Sequence, residues 1–122
     1  METFFADSYA LIDYVKGNKN YQKYFQEHKI ITTRLQLMEL YYSTLLDAND
    51  EKANTYYDSF LDNCILYGDE SIKRAMKFRY EQRKKKLSYV DSIGYQIALE
   101  QKIKFLTGDM QFGGMNNVQY VK

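Results

Sequence analysis

Four acidic residues occupy positions where a carboxylate could do chemistry: Asp7, Glu39, Asp91 and Asp109. Asp7 and Asp109 follow short apolar runs that are typical of buried strands, while the other two lie in predicted helices. If the four carboxylates meet, each close pair of charges costs about 4 kcal/mol at an effective dielectric constant of about 20. The simplest relief is a hard divalent cation, Mg²⁺ or Mn²⁺, held by carboxylates and water.

Sulfur and imidazole chemistry is largely excluded. The chain has one cysteine, Cys64, and one histidine, His28. An internal disulfide and a Cys/His zinc site are therefore impossible. Both residues stand in apolar contexts without the partners of a catalytic triad, so they do not predict nucleophilic catalysis.

The length of 122 residues suits one compact domain, and we expect a single domain over residues 1–122. Hydrophobic residues make up 45% and charged residues 27%, which excludes disordered and fibrous classes. No apolar run approaches the roughly 18 residues of a membrane span. Glu2 stands where a signal peptide would carry positive charge, so we expect a cytoplasmic protein.

Short apolar strands alternate with amphipathic helices along the chain. The predicted strands are Thr3–Ala6, Ile30–Thr32, Cys64–Tyr67, Ile103–Leu106 and Val118–Val121. This order predicts an α/β fold with a mainly parallel sheet of four to five strands flanked by helices. Ligands of such sheets bind beyond the carboxyl ends of the strands, where Asp7 and Asp109 stand.

Three helix starts are marked by side chains that can cap them. Thr33 and Gln36 have the spacing of a capping box, Asp50 can cap the following helix, and Ser88 with Asp91 forms a second capping box.

Glu39 lies on a helix face that we predict to be buried. That face is predicted to contain Leu35, Met38, Tyr42, Leu45 and Leu46. A lone carboxylate there costs several kcal/mol unless it pairs with Arg or Lys or coordinates a metal. For an isolated helix we would favour the ion pair, but the three other acids favour the metal.

Asp91 has a structural role as well, because a capping box accounts for it fully. It also shares a helix face with Gly94 and Ala98, two small residues that allow the helix to lie close to the sheet. Close packing would bring Asp91 toward the crevice. Taken singly, each of the four acids reads as structural; taken together, they can converge on one place.

Four segments make the chain resemble a PIN-domain ribonuclease, and most closely the VapC toxins of toxin–antitoxin pairs. They are Phe5–Ser8 followed by an apolar helix, Leu37–Leu40, Leu87–Ser92 and Phe105–Phe112. The resemblance covers essentially the whole chain. It implies a PIN-like three-layer fold, with Asp7, Glu39, Asp91 and Asp109 as the catalytic and metal-binding quartet.

The resemblance also implies dimerisation and inhibition by a small antitoxin protein. The implied reaction is metal-dependent hydrolysis of RNA phosphodiester bonds, with Mg²⁺ or Mn²⁺ as cofactor. Ser8 and Thr107 would supply hydrogen bonds behind the metal ligands. Because Met110 and Gln111 stand where some relatives carry a further acid, action through one or two metal ions stays open.

Positive charge is concentrated in one stretch, although the formal net charge is only +1. Glu81 alone opposes the basic residues there, which are Lys73, Arg74, Lys77, Arg79, Arg83, Lys84, Lys85 and Lys86. Such a patch would attract RNA with salt-sensitive affinity. Stabilisation of a helix C-terminus explains the last lysines, but not the whole stretch.

Three other functions fit parts of the pattern. A housekeeping PIN nuclease that processes RNA differs from a toxin in lacking an antitoxin gene upstream. A non-catalytic PIN-like module that binds RNA or partners would not need all four acids. A phosphoacceptor receiver domain also gathers acids at strand ends, but Glu39 and Asp91 lie on helices and the usual adjacent pair of N-terminal acids is missing.

Overall fold

The computed structural model describes all residues, 1–122. It contains four strands and six helices, with short 3₁₀ turns between some of them. Their order is β1 (Thr3–Ala6), α1 (Ser8–Val15), α2 (Lys19–Glu27), β2 (Lys29–Ile31), α3 (Arg34–Asp47), α4 (Asp50–Ser59), α5 (Asp69–Glu81), α6 (Tyr89–Glu100), β3 (Lys104–Thr107) and β4 (Val118–Tyr120).

The strands form one parallel sheet in the order β2-β1-β3-β4. The predicted parallel α/β sheet is therefore confirmed, with four strands. Ala6 of β1 pairs with Leu106 of β3 at the centre of the sheet. The carboxyl ends of these two strands are neighbours, so the residues that follow them meet at one edge.

Alternate residues of the strands face two separate hydrophobic cores. Phe4 and Ala6 pack with α1, α2 and α3 on one side of the sheet. Phe5 and Phe105 pack with α5 and α6 on the other side. This alternation follows from the two-residue period of a strand and gives the three-layer arrangement expected from the sequence.

The predicted strand Cys64–Tyr67 is wrong. Only Cys64 forms a bridge, to Thr32, before the chain leaves the sheet. Leu66 is 89% exposed, so its side chain adds nothing to either hydrophobic core. The apolar run resembled a strand because a short run carries no information about which side chains are covered.

The predicted buried face of α3 is also wrong. Met38, Tyr42, Leu45 and Leu46 are exposed, and Leu35 is half-buried. The residues that face the core are Gln36, Leu37, Leu40 and Thr44. Apolar side chains lie on both sides of this helix, so periodicity alone selected the wrong one.

Two predicted caps differ in detail. Asn49, rather than Asp50, caps α4, because its side chain accepts a hydrogen bond from the Lys52 amide at 2.8 Å. Thr33 caps α3 as predicted, with its hydroxyl oxygen accepting from the Leu35 amide at 3.2 Å. The Thr33 hydroxyl donates to the Gln36 side-chain carbonyl, so a reciprocal capping box does not form.

Candidate active site

Asp7 lies at the point where β1 ends and α1 begins. Its amide donates to the Leu106 carbonyl at 3.0 Å, which continues the β1–β3 pairing by one residue. Its carboxylate Oδ1 accepts from the Ser8 amide at 2.8 Å and so caps α1. Asp7 is only 1% exposed, so strand pairing and the helix cap together hold a carboxylate inside the protein.

Thr107 connects Asp7 with Asp109. The Thr107 hydroxyl donates to Oδ2 of Asp7 at 2.7 Å, and its oxygen accepts from the Asp109 amide at 3.1 Å. Oδ1 of Asp109 accepts from the Gln111 amide at 3.0 Å. The Ser8 hydroxyl lies 3.4 Å from Oδ1 of Asp7. Ser8 and Thr107 therefore both contact the Asp7 carboxylate.

Asp91 forms the predicted capping box at the start of α6. Its amide donates to the Ser88 hydroxyl oxygen at 3.0 Å, and the Ser88 amide donates to Oδ2 of Asp91 at 3.3 Å. Gly94 lies against the sheet: a Cβ built there would be 2.9 Å from Phe5 and 3.1 Å from Phe105. As predicted from the small residues, α6 lies close to the sheet and brings Asp91 toward its carboxyl end.

Glu39 is half-buried at the margin of the core-facing side of α3. The ion pair that offered an alternative role for it is absent. The salt bridges of the protein are Lys16–Asp47, Lys73–Glu70 and Arg74–Glu100. None of them involves any of the four acids, which we call the acidic quartet.

The pKa shifts show that the members of the acidic quartet act on one another. Burial, followed by the charge of Asp91, raises the pKa of Asp7 from 3.8 to about 7. Glu39 also raises it, while the hydrogen bonds from Thr107 and Ser8 lower it. Burial raises the pKa of Asp91 too, with further contributions from Asp109 and Glu39. Within the quartet, the charges of Asp91 and Glu39 therefore act on Asp7, and the charges of Asp109 and Glu39 act on Asp91.

The type of donor atom in the quartet fits a hard divalent cation. All the side-chain donors are carboxylate oxygens, which are the ligands that Mg²⁺ and Mn²⁺ prefer. Asp91 and Asp109 each use one carboxylate oxygen in a hydrogen bond, which leaves the other oxygen available. No three His, Cys, Asp or Glu side chains lie close enough together to hold a metal ion in this structure. Binding would therefore require the side chains to converge.

Gln36 is a polar residue for which the sequence predicts only a capping role, not a contact between the helices of the quartet. It is fully buried, and its side-chain amide donates to the Val90 carbonyl at 3.2 Å. This bond joins α3, which carries Glu39, to the first turn of α6, which carries Asp91. In the sequence, only the capping-box spacing to Thr33 marks Gln36, and this spacing does not indicate the contact with Val90.

The eight basic residues are not equivalent. Arg74 pairs with Glu100 at 3.2 Å, and Lys73 lies 3.9 Å from Glu70. Arg79 and Arg83 lie over tyrosine rings. The lysines without such contacts are exposed, and they are Lys77, Lys84, Lys85 and Lys86. Three of these four are consecutive and end two residues before α6.

No helix is both long and apolar enough to cross a membrane.

No protein-family model matches the sequence, and no curated protein matches it. Solved structures do match the fold. A toxin–antitoxin complex from Klebsiella pneumoniae aligns with a TM-score of 0.73 and 19% identity, over 94% of this chain and 94% of that chain. VapBC2 from Rickettsia felis, bound to a DNA fragment from its promoter, aligns with a TM-score of 0.71 and 16% identity, over 98% and 97%. The chain thus has the PIN-like α/β fold that its sequence predicts.

Proposed function

We propose that this chain is a metal-dependent endoribonuclease, and that it acts as the toxin of a VapBC-type toxin–antitoxin pair. One observation carries the proposal. Asp7 is buried at the carboxyl edge of a parallel sheet, where its charge meets other acids and no lysine or arginine pairs with it. A fold shared with toxin–antitoxin structures supports the same conclusion.

The acidic quartet would hold the cofactor, Mg²⁺ or Mn²⁺. Asp7, Glu39 and Asp91 would bind one ion directly or through water, and Asp109 would bind a second ion or orient the attacking water. A bound divalent cation supplies Lewis-acid stabilisation of the phosphate charge and lowers the pKa of a coordinated water.

Thr107 and Ser8 have a separate part in this proposal, which is to fix the Asp7 carboxylate. Each contributes a hydroxyl next to one of its oxygens, at 2.7 Å and 3.4 Å. Because Thr107 also accepts from the Asp109 amide, it sets the positions of two acids from one side chain. Partners of this kind orient metal ligands and are commonly worth a factor of about 10 to 100 in activity or metal affinity.

We expect RNA to approach along the exposed lysines. Lys84, Lys85 and Lys86 end two residues before the helix that carries Asp91, and Lys77 lies on the preceding helix α5. Lysines that are not engaged with acids are free to neutralise phosphates and release counterions. The positive charge of the lysines would then guide the RNA toward the end of the β-sheet where the acidic quartet lies.

We propose that the exposed apolar side of α3 contacts a protein partner, either a second copy of the chain or a small antitoxin. Met38, Tyr42 and Leu46 line a shallow recess there together with Glu39. A partner in this recess would lie beside a member of the quartet and could block access to it. Leu46→Lys should then weaken dimerisation or antitoxin binding, measured by light scattering, whereas Leu66→Lys should not.

Cleavage of RNA by purified protein tests the proposed activity. A 5′-labelled single-stranded RNA should be cut with Mg²⁺ or Mn²⁺ and left intact with EDTA. Asp7→Asn should remove cleavage, because it neutralises the buried ligand, while Asp62→Asn, at an exposed acid outside the quartet, should leave cleavage unchanged. Cleavage that persists in EDTA or in the purified Asp7→Asn variant would contradict the assignment.

Growth of a bacterial host that expresses the chain distinguishes a toxin from a housekeeping RNA-processing nuclease. A toxin should arrest growth in the wild-type form and not as Asp7→Asn, and a small protein encoded directly upstream should relieve the arrest. Cleavage without growth arrest would favour the housekeeping nuclease. RNA binding without any cleavage would favour a non-catalytic module.

A further inference from the structure

Tyr89 is a large aromatic residue that the fold leaves in solvent. It is the first residue of α6, two positions before Asp91, and 64% of it is exposed. Its ring packs against no other aromatic ring of the chain, whereas Tyr95 of the same helix is buried among Phe78, Phe105 and Phe112. Burial in a core therefore does not account for Tyr89.

Arg79 covers one face of the Tyr89 ring. The carbon of its guanidinium lies 4.5 Å from the ring centroid. The Arg79 Nε–H donates to the carbonyl of the buried Leu87 at 2.7 Å, which fixes the plane of the guanidinium from behind. Because one face of the ring rests on an anchored cation and no aromatic side chain covers the other, Tyr89 presents a flat surface to solvent.

A flat aromatic ring backed by a cation, next to exposed lysines, is the arrangement that binds single-stranded nucleic acid. Bases stack on such rings whatever their sequence, while the positive groups follow the backbone. Lys84, Lys85 and Lys86 supply the positive groups, and only Leu87 and Ser88 separate them from Tyr89 in the chain. In an A-form duplex the bases are stacked on one another and are not free to stack on a protein ring.

We propose that Tyr89 is a stacking platform for an unpaired base of the bound RNA, with Arg79 as its positioning residue. The proposal rests on the proposed ribonuclease function and assigns a base-stacking residue to it. Tyr89 lies two residues before Asp91 in the first turn of α6, and side chains at this spacing project about 200° apart around a helix, so the stacked base would belong to a nucleotide that flanks the cleaved one.

Binding in EDTA tests the platform separately from cleavage. The probe is a single-stranded RNA dodecamer that contains one 2-aminopurine, compared with the same strand annealed to its complement. Tyr89→Leu keeps apolar bulk but removes the π face, and it should weaken single-strand binding about 5- to 150-fold. Tyr89→Phe should bind like the wild type and quench 2-aminopurine fluorescence to the same extent.

Tyr80 provides a matched control. It is 66% exposed, and the Arg83 guanidinium lies 4.6 Å from its ring centroid, but its helix α5 carries no member of the quartet. Tyr80→Leu should leave affinity unchanged. Arg79→Lys keeps the charge, so the salt dependence of binding should stay the same while the quenching falls. A purely structural role for Arg79 would not separate these two readouts.

Three results would overturn the proposal: Tyr89→Leu binding single-stranded RNA like the wild type, an equal loss of affinity for the duplex, or an equal loss in Tyr80→Leu. Circular dichroism melting establishes that each variant is folded. If the leucine variant is not, Arg79→Lys retains the test, because unchanged quenching in that variant would overturn the proposal. If the wild type binds through Tyr89 but cleaves nothing with Mg²⁺ or Mn²⁺, the ribonuclease function fails while the stacking surface stands.

Discussion

Replacing Asp7 with asparagine should stabilise the metal-free protein more at alkaline pH than at acidic pH. Burial raises the pKa of Asp7 from 3.8 to about 7, so the folded protein retains this proton to a higher pH than the unfolded chain does. The free energy of unfolding therefore falls as the pH rises between these two values. A difference of about 3 pKa units corresponds to about 4 kcal/mol once the group is ionised in both states.

Asparagine removes the ionisation but keeps a similar shape. The cost of its altered hydrogen bonds, including the contact with Thr107, does not change with pH. The difference in unfolding free energy between variant and wild type should thus shift by about 2 to 3 kcal/mol between about pH 5 and about pH 8, in favour of the variant. Urea denaturation in EDTA measures both proteins at each pH, and Asp62→Asn should give no shift.

A difference that stays constant over this range would refute the argument, because it would mean that Asp7 ionises at its ordinary pKa in the folded protein. Urea denaturation with added Mn²⁺ or Mg²⁺ at about pH 8 gives a second test. A cation bound to the quartet should raise the stability of the wild type by mass action, and should do so much less in Asp7→Asn.

Three further changes probe how the site is held. Thr107→Val should lower cleavage about 10- to 100-fold, measured by RNA cleavage at saturating metal, whereas Thr107→Ser should retain it because the hydroxyl remains. Gly94→Ala should destabilise the fold by about 1 to 3 kcal/mol in urea denaturation, since the added Cβ would lie 2.7 Å from a side-chain nitrogen of α3, although better helix propensity returns up to about 1 kcal/mol. The triple variant Lys84→Gln, Lys85→Gln, Lys86→Gln should flatten the salt dependence of single-stranded RNA binding by about 2 units of slope, and an unchanged slope would show that these lysines make no phosphate contacts.

The sequence predicts the parts of the site that depend on local chemistry. Asp7 ends an apolar run and precedes a helix, so a strand end and a helix cap follow from neighbouring residues alone, and both are observed. The capping box of Ser88 and Asp91 is likewise contained within four residues. Gly94 and Ala98 correctly indicate close packing, because small residues on one face of a helix have few other reasons to align.

The parts that fail depend on what lies opposite a segment in the folded chain. The helix α3 carries apolar residues on two sides, and only the position of the sheet decides that Leu37 and Leu40 are buried while Met38 and Tyr42 are not. The sequence predicts Glu39 on a buried face of α3, but the face that it indicates is exposed. Glu39 is half-buried only because it borders the other side of the helix, which is the buried one. For Gln36 the sequence likewise predicts only a helix cap, because its hydrogen-bond partner Val90 is 54 residues away in the chain.

The first two turns of α6 contain both Asp91, a proposed metal ligand, and Tyr89, the proposed stacking residue. Ser88 caps the start of the helix, Tyr89 and Asp91 both belong to its first turn, and Gly94 allows the helix to lie close to the sheet. A shift of this helix would therefore move the proposed metal ligand and the proposed stacking surface together. Because the Gln36 amide binds the Val90 carbonyl between them, the same turn is also tied to the helix that carries Glu39. Substitutions at Gly94 should consequently alter cleavage and base stacking in parallel, whereas substitutions at Tyr89 should alter stacking while leaving the charge interactions among the acids intact.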